Sequence, residues 1–138
     1  MEGKSFEIDN EEEMIQFGSQ LSQKLKAGDI VLLYGELGAG KTTLVRGVMR
    51  GYGWTEPVRS PTFNLFSLYE TTPPVLHADF YRIKSTLGLG IEDYLDTHLC
   101  LIEWPAAIEP EIELNQAIIV RISHKNSGRN VEVSNIKV

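Results

Sequence analysis

The residues with the clearest chemical meaning form a glycine-rich loop at positions 35–42, which reads Gly-Glu-Leu-Gly-Ala-Gly-Lys-Thr. This is a complete G-x-x-x-x-G-K-[ST] pattern, in which backbone N–H groups wrap a polyphosphate and a helix N-terminus faces its negative charge. Lys41 is expected to reach the β- and γ-phosphates, and the Thr42 hydroxyl is expected to bind Mg²⁺. The loop alone predicts phosphate binding, without indicating whether a phosphate is cleaved.

Hydrolysis of a bound nucleotide requires two more groups, a second metal ligand and a residue that orients the attacking water. Glu103 directly follows the apolar run 99–102. This position is typical of a metal-binding acid at the end of a buried strand, on the edge of a parallel sheet where ligands bind. The alternative for Glu103 is an ordinary exposed glutamate at a strand end. If Glu103 lies near Thr42, the two residues together form a Mg²⁺ site.

Asp79 is the second candidate carboxylate. It lies in a predicted strand, where alternation places it on the same face as His77 and Tyr81, and its partner is expected to be the metal, a water or Arg82. His77 is interpreted as a hydrogen-bonded structural histidine. Asp79 and Glu103 remain alternatives as the group that positions water.

A turn after the loop helix, Ser60-Pro61-Thr62, lies where such proteins keep a switch segment that responds to the γ-phosphate and Mg²⁺. The sequence alone is equally consistent with an ordinary turn. Cations that could stabilise developing phosphate charge are Arg59, Arg82 and Arg129.

Composition limits the possible functions. The chain has 138 residues, of which 42% are hydrophobic, so one domain spanning 1–138 is expected. The net charge of −6 argues against a broad basic surface for nucleic acid, so contact with RNA is expected to be indirect. Cys100, within an apolar run, is expected to be a buried and inert thiol. No signal-peptide core or stretch of membrane-spanning length is seen, and a cytoplasmic location is expected.

Hydrophobic spacing predicts the elements that position these groups. Residues 6–8 are predicted to be extended, and Asn10 is predicted to cap a helix that ends with Lys24, Lys26 and Gly28. The other predicted elements are a strand at 30–34, a helix from Lys41 to about Met49, a hairpin-like insert with strands at 63–69 and 75–81, a short helix at 91–95, a strand at 99–102, and strands at 117–122 and 131–136 around a turn at 124–128. This order predicts a three-layer α/β domain with a mostly parallel central sheet and antiparallel C-terminal strands.

Five blocks in order carry a closer resemblance: 33–43, 60–63 (Ser-Pro-Thr-Phe), 77–82 (His-Ala-Asp-Phe-Tyr-Arg), 90–95 (Gly-Ile-Glu-Asp-Tyr-Leu) and 101–105 (Leu-Ile-Glu-Trp-Pro). Over essentially its whole length the chain resembles the bacterial TsaE (YjeE) ATPases, which take part in making threonylcarbamoyladenosine on tRNA. The resemblance implies a P-loop NTPase fold and slow, Mg²⁺-dependent ATP hydrolysis. It also implies a partner, the TsaB–TsaD heterodimer, with tRNA reached indirectly.

The resemblance assigns roles to individual residues. It implies Mg²⁺ binding by Thr42 and Glu103, catalytic contributions from Lys41, Asp79 and Glu103, and a switch at Ser60, Pro61 and Thr62. The implied ATP-binding residues are Asn10, Glu36, Leu37, Gly38, Ala39, Gly40, Lys41, Thr42, Thr43 and Trp104.

Two other functions remain open at this point. A P-loop small-molecule kinase needs an arginine-bearing lid, and the stretch 59–82 carries arginine only at its two ends. A nucleotide-sensing binding module would bind ATP without turning it over. The ATPase interpretation expects slow hydrolysis by the isolated chain, because no obvious arginine finger is present and a partner is expected to complete the site. The guanine-specific Asn-Lys-x-Asp motif does not occur, which favours adenine.

Overall fold

The computed structural model describes residues 3–61 and 65–136. Over these residues the strands are β1 (Lys4–Ile8), β2 (Ile30–Tyr34), β3 (Phe66–Tyr69), β4 (Val75–Asp79), β5 (Leu99–Glu103), β6 (Ile118–Lys125) and β7 (Gly128–Ser134). The α-helices are α1 (Glu11–Ser22) and α2 (Lys41–Gly51), and 3₁₀ turns occupy Ile91–Asp93, Pro105–Ala107, Glu109–Glu111 and Leu114–Gln116. No helix in the described ranges has the length and apolar character that crossing a bilayer requires.

The strands form one sheet in the order β1-β7-β6-β2-β5-β4-β3. The four central strands β6, β2, β5 and β4 are parallel, while β3 at one edge and β7 and β1 at the other are antiparallel to their neighbours. The predicted α/β class with a mostly parallel centre is therefore confirmed. Because parallel strands end at the same edge, Asp79 on β4 and Glu103 on β5 are register partners there.

Both faces of the central strands are buried, as expected of parallel strands with near-continuous apolar sequence. On one face α1 and α2 pack on side chains such as Val31 and Leu101. On the other face the covering layer is built from loops and 3₁₀ turns, which contribute Phe80, Ile91 and Ile108. The site-bearing strand ends are therefore held between two apolar layers.

Helix α1 begins as predicted and ends earlier. The Asn10 carboxamide oxygen accepts from the Glu13 N–H at 2.9 Å, which is the predicted cap. The helix stops at Ser22, because the next N–H groups bond three residues back, as in Lys24 N–H to the Leu21 carbonyl at 2.9 Å. The prediction that the helix ends with Lys24, Lys26 and Gly28 was therefore several residues too long.

Other boundaries differ for local reasons. Strand β4 ends at Asp79: the Phe80 N–H makes the last ladder bond, to the Glu103 carbonyl at 3.1 Å, and the Tyr81 N–H bonds to the Asp79 carboxylate instead of to a neighbouring strand. The predicted short helix at 91–95 is a single 3₁₀ turn. The C-terminal turn is tighter than predicted, since β6 runs to Lys125 and β7 begins at Gly128. Strand β3 begins at Phe66, and the predicted start at Phe63 lies outside the described residues.

The helices α1 and α2 cross at two glycines. A Cβ atom on Gly18 would lie 2.5 Å from the Leu44 carbonyl oxygen, and a Cβ atom on Gly47 would lie 2.4 Å from the Ile15 carbonyl oxygen. Both distances are shorter than any real Cβ contact. Glycine at these two positions therefore allows α2, which follows the phosphate-loop sequence, to pack backbone to backbone against α1.

Cys100 is fully buried in β5, as predicted, and gives a test of the core. Burial raises the pKa of its thiol from an ordinary 9.0 to about 12. The unfolded chain then loses this proton at lower pH than the folded chain, so the stabilisation is complete below about pH 9 and is lost as the pH rises toward 12. For one such group, the free energy of unfolding falls by about 1.4 kcal/mol per pH unit in this range.

Cys100→Ala is expected to remove this slope. Between about pH 9.5 and 10.5, the free energy of unfolding from urea titrations should fall by about 1.4 kcal/mol less in the variant than in the wild type. The raised pKa values of Tyr34 and Tyr52, each to about 12, act in the same direction in both proteins and cancel in the difference. Parallel stability curves for the two proteins would contradict the burial of the thiol.

Candidate active site

The loop between β2 and α2 has the backbone shape that surrounds a phosphate. Gly38 and Gly40 have φ angles of 77° and 115°, in the left-handed region that glycine adopts without strain. Gly40 is the N-cap of α2, so the N–H groups of the first helical turn, which lack partners within the helix, begin at the loop. The loop sequence 35–42 thus forms the strand–loop–helix unit that its pattern predicts.

Lys41 begins α2 and turns its ammonium back into the loop. Its Nζ donates to the carbonyl oxygens of Gly35 and, at 3.0 Å, of Glu36, and lies 4.0 Å from the centre of the Trp104 ring. Burial lowers the pKa of the Lys41 ammonium from its ordinary value, and the nearby Glu103 carboxylate acts in the opposite direction. Carbonyl dipoles and an aromatic face thus hold a cation at the position where the motif places phosphate.

A cluster of oxygen atoms lies beside the start of α2. The Thr42 hydroxyl oxygen is 3.0 Å and 2.9 Å from the two carboxylate oxygens of Glu103, and 2.9 Å from the Ser60 hydroxyl oxygen. Glu103 ends β5 and is 3% exposed, so the alternative of an exposed strand-end glutamate is wrong. The structure brings together the two predicted metal ligands and one residue of the predicted switch.

The donor set of this cluster fits Mg²⁺, which prefers oxygen ligands and is usually bound by one or two carboxylates together with substrate phosphates. Thr42 and Glu103 provide a hydroxyl and a carboxylate. In ranges 3–61 and 65–136, no three His, Cys, Asp or Glu side chains gather closely enough to hold a metal ion by themselves. A divalent cation here would therefore need ligands from the nucleotide as well.

His77 is a part of the site whose role sequence reasoning missed. It is fully buried on β4, and its Nε2 lies 2.7 Å from a Glu103 carboxylate oxygen. The sequence predicted only a hydrogen-bonded structural histidine at this position. The available signal was strand alternation, which placed His77 on the same face as Asp79, although nothing in the sequence gave the register with Glu103.

Asp79 lies one strand away from Glu103 at the carboxyl edge of the sheet. It is half-buried, and its Oδ1 accepts from the Tyr81 backbone N–H at 3.0 Å. This backbone bond is the partner that the structure gives Asp79, in place of the Arg82 side chain considered from the sequence. The carboxylate is thereby fixed one strand away from the oxygen cluster of Thr42, Glu103 and Ser60, with part of its surface exposed.

Trp104 follows Glu103 in an unusual backbone conformation. Its φ angle is 52°, a left-handed value that costs a bulky residue roughly 1–3 kcal/mol. The conformation turns the chain after β5, and the Trp104 ring contacts both the Lys41 ammonium and the Tyr81 ring, whose centre is 4.6 Å away. Trp104 therefore borders the phosphate loop.

A pocket of about 250 Å³ lies on the other side of the loop. Its walls include the expected ATP-binding residues Asn10, Gly38, Ala39, Gly40 and Thr43. Leu37, also in that set, is 66% exposed at the surface and is not among the pocket walls.

Arg129, on β7, also borders this pocket. Its Nε donates to the Ala39 carbonyl at 3.0 Å, and its Nη2 donates to the Gly38 carbonyl at 3.2 Å. Arg129 was a possible stabiliser of phosphate charge from the sequence, and its observed bonds hold the loop backbone.

The predicted switch is described only in part. The Ser60 hydroxyl lies 2.9 Å from the Thr42 hydroxyl oxygen, and Pro61 follows it without regular structure. Thr62 lies outside the described residues. Because Thr42 can donate its single proton to only one acceptor, a Thr42 bond to Glu103 requires Ser60 to donate to Thr42.

A glycine-rich strand–loop–helix unit at the carboxyl edge of a mostly parallel sheet, with its lysine turned into the loop, defines a P-loop NTPase-like fold. The crystal structure of YdiB from Bacillus subtilis has the same architecture. It matches with a TM-score of 0.82 and 28% sequence identity, over 96% of this chain and 84% of that chain.

The chain belongs to the TsaE family. The family model described as "Threonylcarbamoyl adenosine biosynthesis protein TsaE" matches residues 8–131. Relatives named tRNA threonylcarbamoyladenosine biosynthesis protein TsaE include one from Rickettsia felis, 41% identical over 81% of this chain and 71% of its own, and one from Haemophilus influenzae, 36% identical over 96% of this chain and 90% of its own. The family resemblance read from the sequence is confirmed.

Proposed function

We propose that this chain is an Mg²⁺-dependent ATPase that binds and slowly hydrolyses ATP in support of the threonylcarbamoyladenosine modification of tRNA. The observation that carries the proposal is the contact of Thr42 with both carboxylate oxygens of Glu103, at 2.9 Å and 3.0 Å, directly after the phosphate loop. Thr42 and Glu103 would hold Mg²⁺, which when bound neutralises charge on the transferring phosphate. Family membership supports the connection with tRNA modification.

The two carboxylates are proposed to have different tasks. Both oxygens of Glu103 lie within 3.0 Å of the Thr42 hydroxyl oxygen, and one lies 2.7 Å from His77 Nε2, in a buried setting that suits a metal ligand. Asp79 is less buried, and its hydrogen bond to the Tyr81 N–H uses Oδ1 alone. Asp79 is therefore proposed to accept a hydrogen bond from the attacking water and orient it toward the γ-phosphate.

The nucleotide is proposed to lie along the loop. Lys41 would exchange its bonds to the carbonyls of Gly35 and Glu36 for bonds to the β- and γ-phosphates, and the remaining loop N–H groups would bind the other phosphate oxygens. Trp104 would cover the phosphates and restrict water. The pocket bordered by Asn10 and Thr43 is the proposed position of the adenosine end.

The partner proposed to complete the site is the TsaB–TsaD heterodimer, in the cytoplasm, with tRNA contacted only indirectly. The name of the relatives connects them with the same modification. Leu37 on the loop and Tyr81 beside Trp104 are 66% and 50% exposed, and they provide apolar surface next to the site. The net charge of −6 supports a protein partner over direct binding to the RNA backbone.

The test is ATP hydrolysis with and without the heterodimer. The isolated chain is expected to be slow and the heterodimer to accelerate it, since the chain offers no obvious arginine finger. Thr42→Ala should lower Mg²⁺-dependent hydrolysis by on the order of 10²-fold, because it removes a group that helps to position transition-state charge. Thr97→Ala, the same substitution at an exposed position, should leave the rate unchanged.

Three outcomes would contradict the proposal. Full activity of the isolated chain would remove the role of the partner in completing the site. Transfer of labelled phosphate to an acceptor other than water would indicate a kinase. ATP binding without any hydrolysis, even with the heterodimer present, would indicate a nucleotide-sensing module.

A further inference from the structure

A buried histidine contacts the same carboxylate of the proposed metal ligand as the Thr42 hydroxyl does. His77 and Glu103 are 0% and 3% exposed, and His77 Nε2 lies 2.7 Å from Glu103 Oε2. The same oxygen lies 2.9 Å from the Thr42 hydroxyl. The Glu103 carboxylate is thus fixed by one group from β4 and one from α2.

The surroundings of His77 determine which nitrogen carries the proton. An ionised carboxylate only accepts hydrogen bonds, so the His77–Glu103 contact requires a proton on Nε2. Among the described residues, the other ring nitrogen, Nδ1, is buried without a hydrogen-bond partner. A proton on Nδ1 would be a buried donor with nothing to bind, which is costly, and the Nε2–H tautomer avoids that cost.

The register of the sheet explains why His77 reaches Glu103. His77 is paired with Leu101 on the parallel neighbour β5, two positions before the pair formed by Asp79 and Glu103. The ring therefore reaches along the strands toward their carboxyl ends. Among the described residues, no other side chain of β4 makes a hydrogen bond to the Glu103 carboxylate.

We propose that His77 is a positioning residue, whose Nε2–H holds the Glu103 carboxylate in the orientation that faces Thr42, so that the cation site is formed before the metal arrives. The inference rests on the proposed function, in which Glu103 binds Mg²⁺. Partners that orient metal ligands from behind typically change metal affinity by about 10- to 100-fold when they are removed.

The test separates metal binding from turnover and from folding. Binding of a non-hydrolysable ATP analogue is measured by calorimetry in Mg²⁺ and in EDTA, for the wild type and for His77→Gln, His77→Asn and His77→Leu. The amide nitrogen of Gln reaches the position of Nε2, whereas that of Asn reaches the position of Nδ1. We expect the Mg²⁺-dependent gain in affinity to fall about 10-fold in the Asn and Leu variants, and the Gln variant to keep most of it.

A double substitution tests whether His77 acts through Glu103. In a Glu103→Ala background, adding His77→Leu should cause no further loss of Mg²⁺ dependence, because the carboxylate to be oriented is absent. Leu76→Val, on the same strand but facing the opposite layer, controls for general loosening and should leave the Mg²⁺ dependence unchanged. Urea unfolding of each variant establishes that it is folded.

Each outcome decides the matter. Equal losses in Mg²⁺ and in EDTA, unchanged Mg²⁺ dependence in the Asn and Leu variants, or independent losses in the double variant would overturn the positioning role while leaving the ATPase proposal intact. A wild-type protein whose nucleotide affinity ignores Mg²⁺ would overturn both. If the Leu variant does not fold, the comparison of Gln with Asn, whose amides are identical and differ in reach by one methylene, gives the same decision.

Discussion

Asp79→Asn is expected to slow ATP hydrolysis by about 10²- to 10⁴-fold while leaving the affinity for Mg·ATP nearly unchanged. The amide keeps the shape of the carboxylate and an oxygen for the Tyr81 N–H, but it lacks the negative charge that orients and polarises the attacking water. Single-turnover hydrolysis in the presence of the TsaB–TsaD heterodimer measures the chemical step, and equilibrium binding of a non-hydrolysable analogue measures affinity.

Two comparisons make this result specific. Asp96→Asn removes the same charge from an exposed position and should hydrolyse ATP at the wild-type rate. Glu103→Gln should instead weaken the Mg²⁺-dependent part of binding, because Glu103 is the proposed metal ligand. Wild-type hydrolysis by Asp79→Asn would assign the orientation of water to Glu103 or to the partner.

Gly47→Ala is expected to lower the free energy of unfolding by about 2 kcal/mol. The added methyl would lie 2.4 Å from the Ile15 carbonyl oxygen and 2.9 Å from the Ile15 Cα, so α1 and α2 must separate. Overpacking of this kind costs roughly 1–3 kcal/mol and occasionally more, and it exceeds the gain of up to about 1 kcal/mol from replacing glycine inside a helix. Urea unfolding at neutral pH measures the change.

The matched control is Arg50→Ala, an exposed position on the same helix, where a change within about 0.5 kcal/mol is expected. Because α2 begins directly after the phosphate loop, Gly47→Ala should also weaken nucleotide binding, whereas Arg50→Ala should not. A Gly47→Ala protein as stable as the wild type would show that the crossing of α1 and α2 tolerates a wider spacing.

The sequence predicted the parts of this fold that depend on local chemistry. The loop at 35–42, the cap at Asn10 and the apolar run of β5 each follow from residues adjacent in the chain, and they are present in the structure. Element boundaries were less accurate. Strand β4 was predicted to run to Tyr81 but stops at Asp79, where the Tyr81 N–H bonds to the Asp79 carboxylate, because hydrophobic alternation does not show which N–H groups meet a neighbouring strand.

The same distinction applies to the candidate site. Thr42 and Glu103 were predicted as a pair from their places in the chain. Thr42 ends the phosphate loop near the start of a helix, Glu103 ends a buried strand, and both places border the same edge of a parallel sheet. The partners of His77 and Arg129 were not predicted, since they depend on register between strands far apart in sequence. The glycines of the helix crossing were missed for a related reason: a glycine inside a helix does not reveal what packs against it.

The bonds from Arg129 to the phosphate loop bear on how the protein is made. Arg129 and Ala39 are 90 positions apart, and Arg129 lies on a strand that also pairs with β1 through Ile8. During synthesis the glycine-rich motif leaves the ribosome long before the residue that secures its backbone. The motif is therefore encoded early and locally, but its final shape depends on a contact between residues far apart in the chain, whose loop-closure cost exceeds that of a local turn.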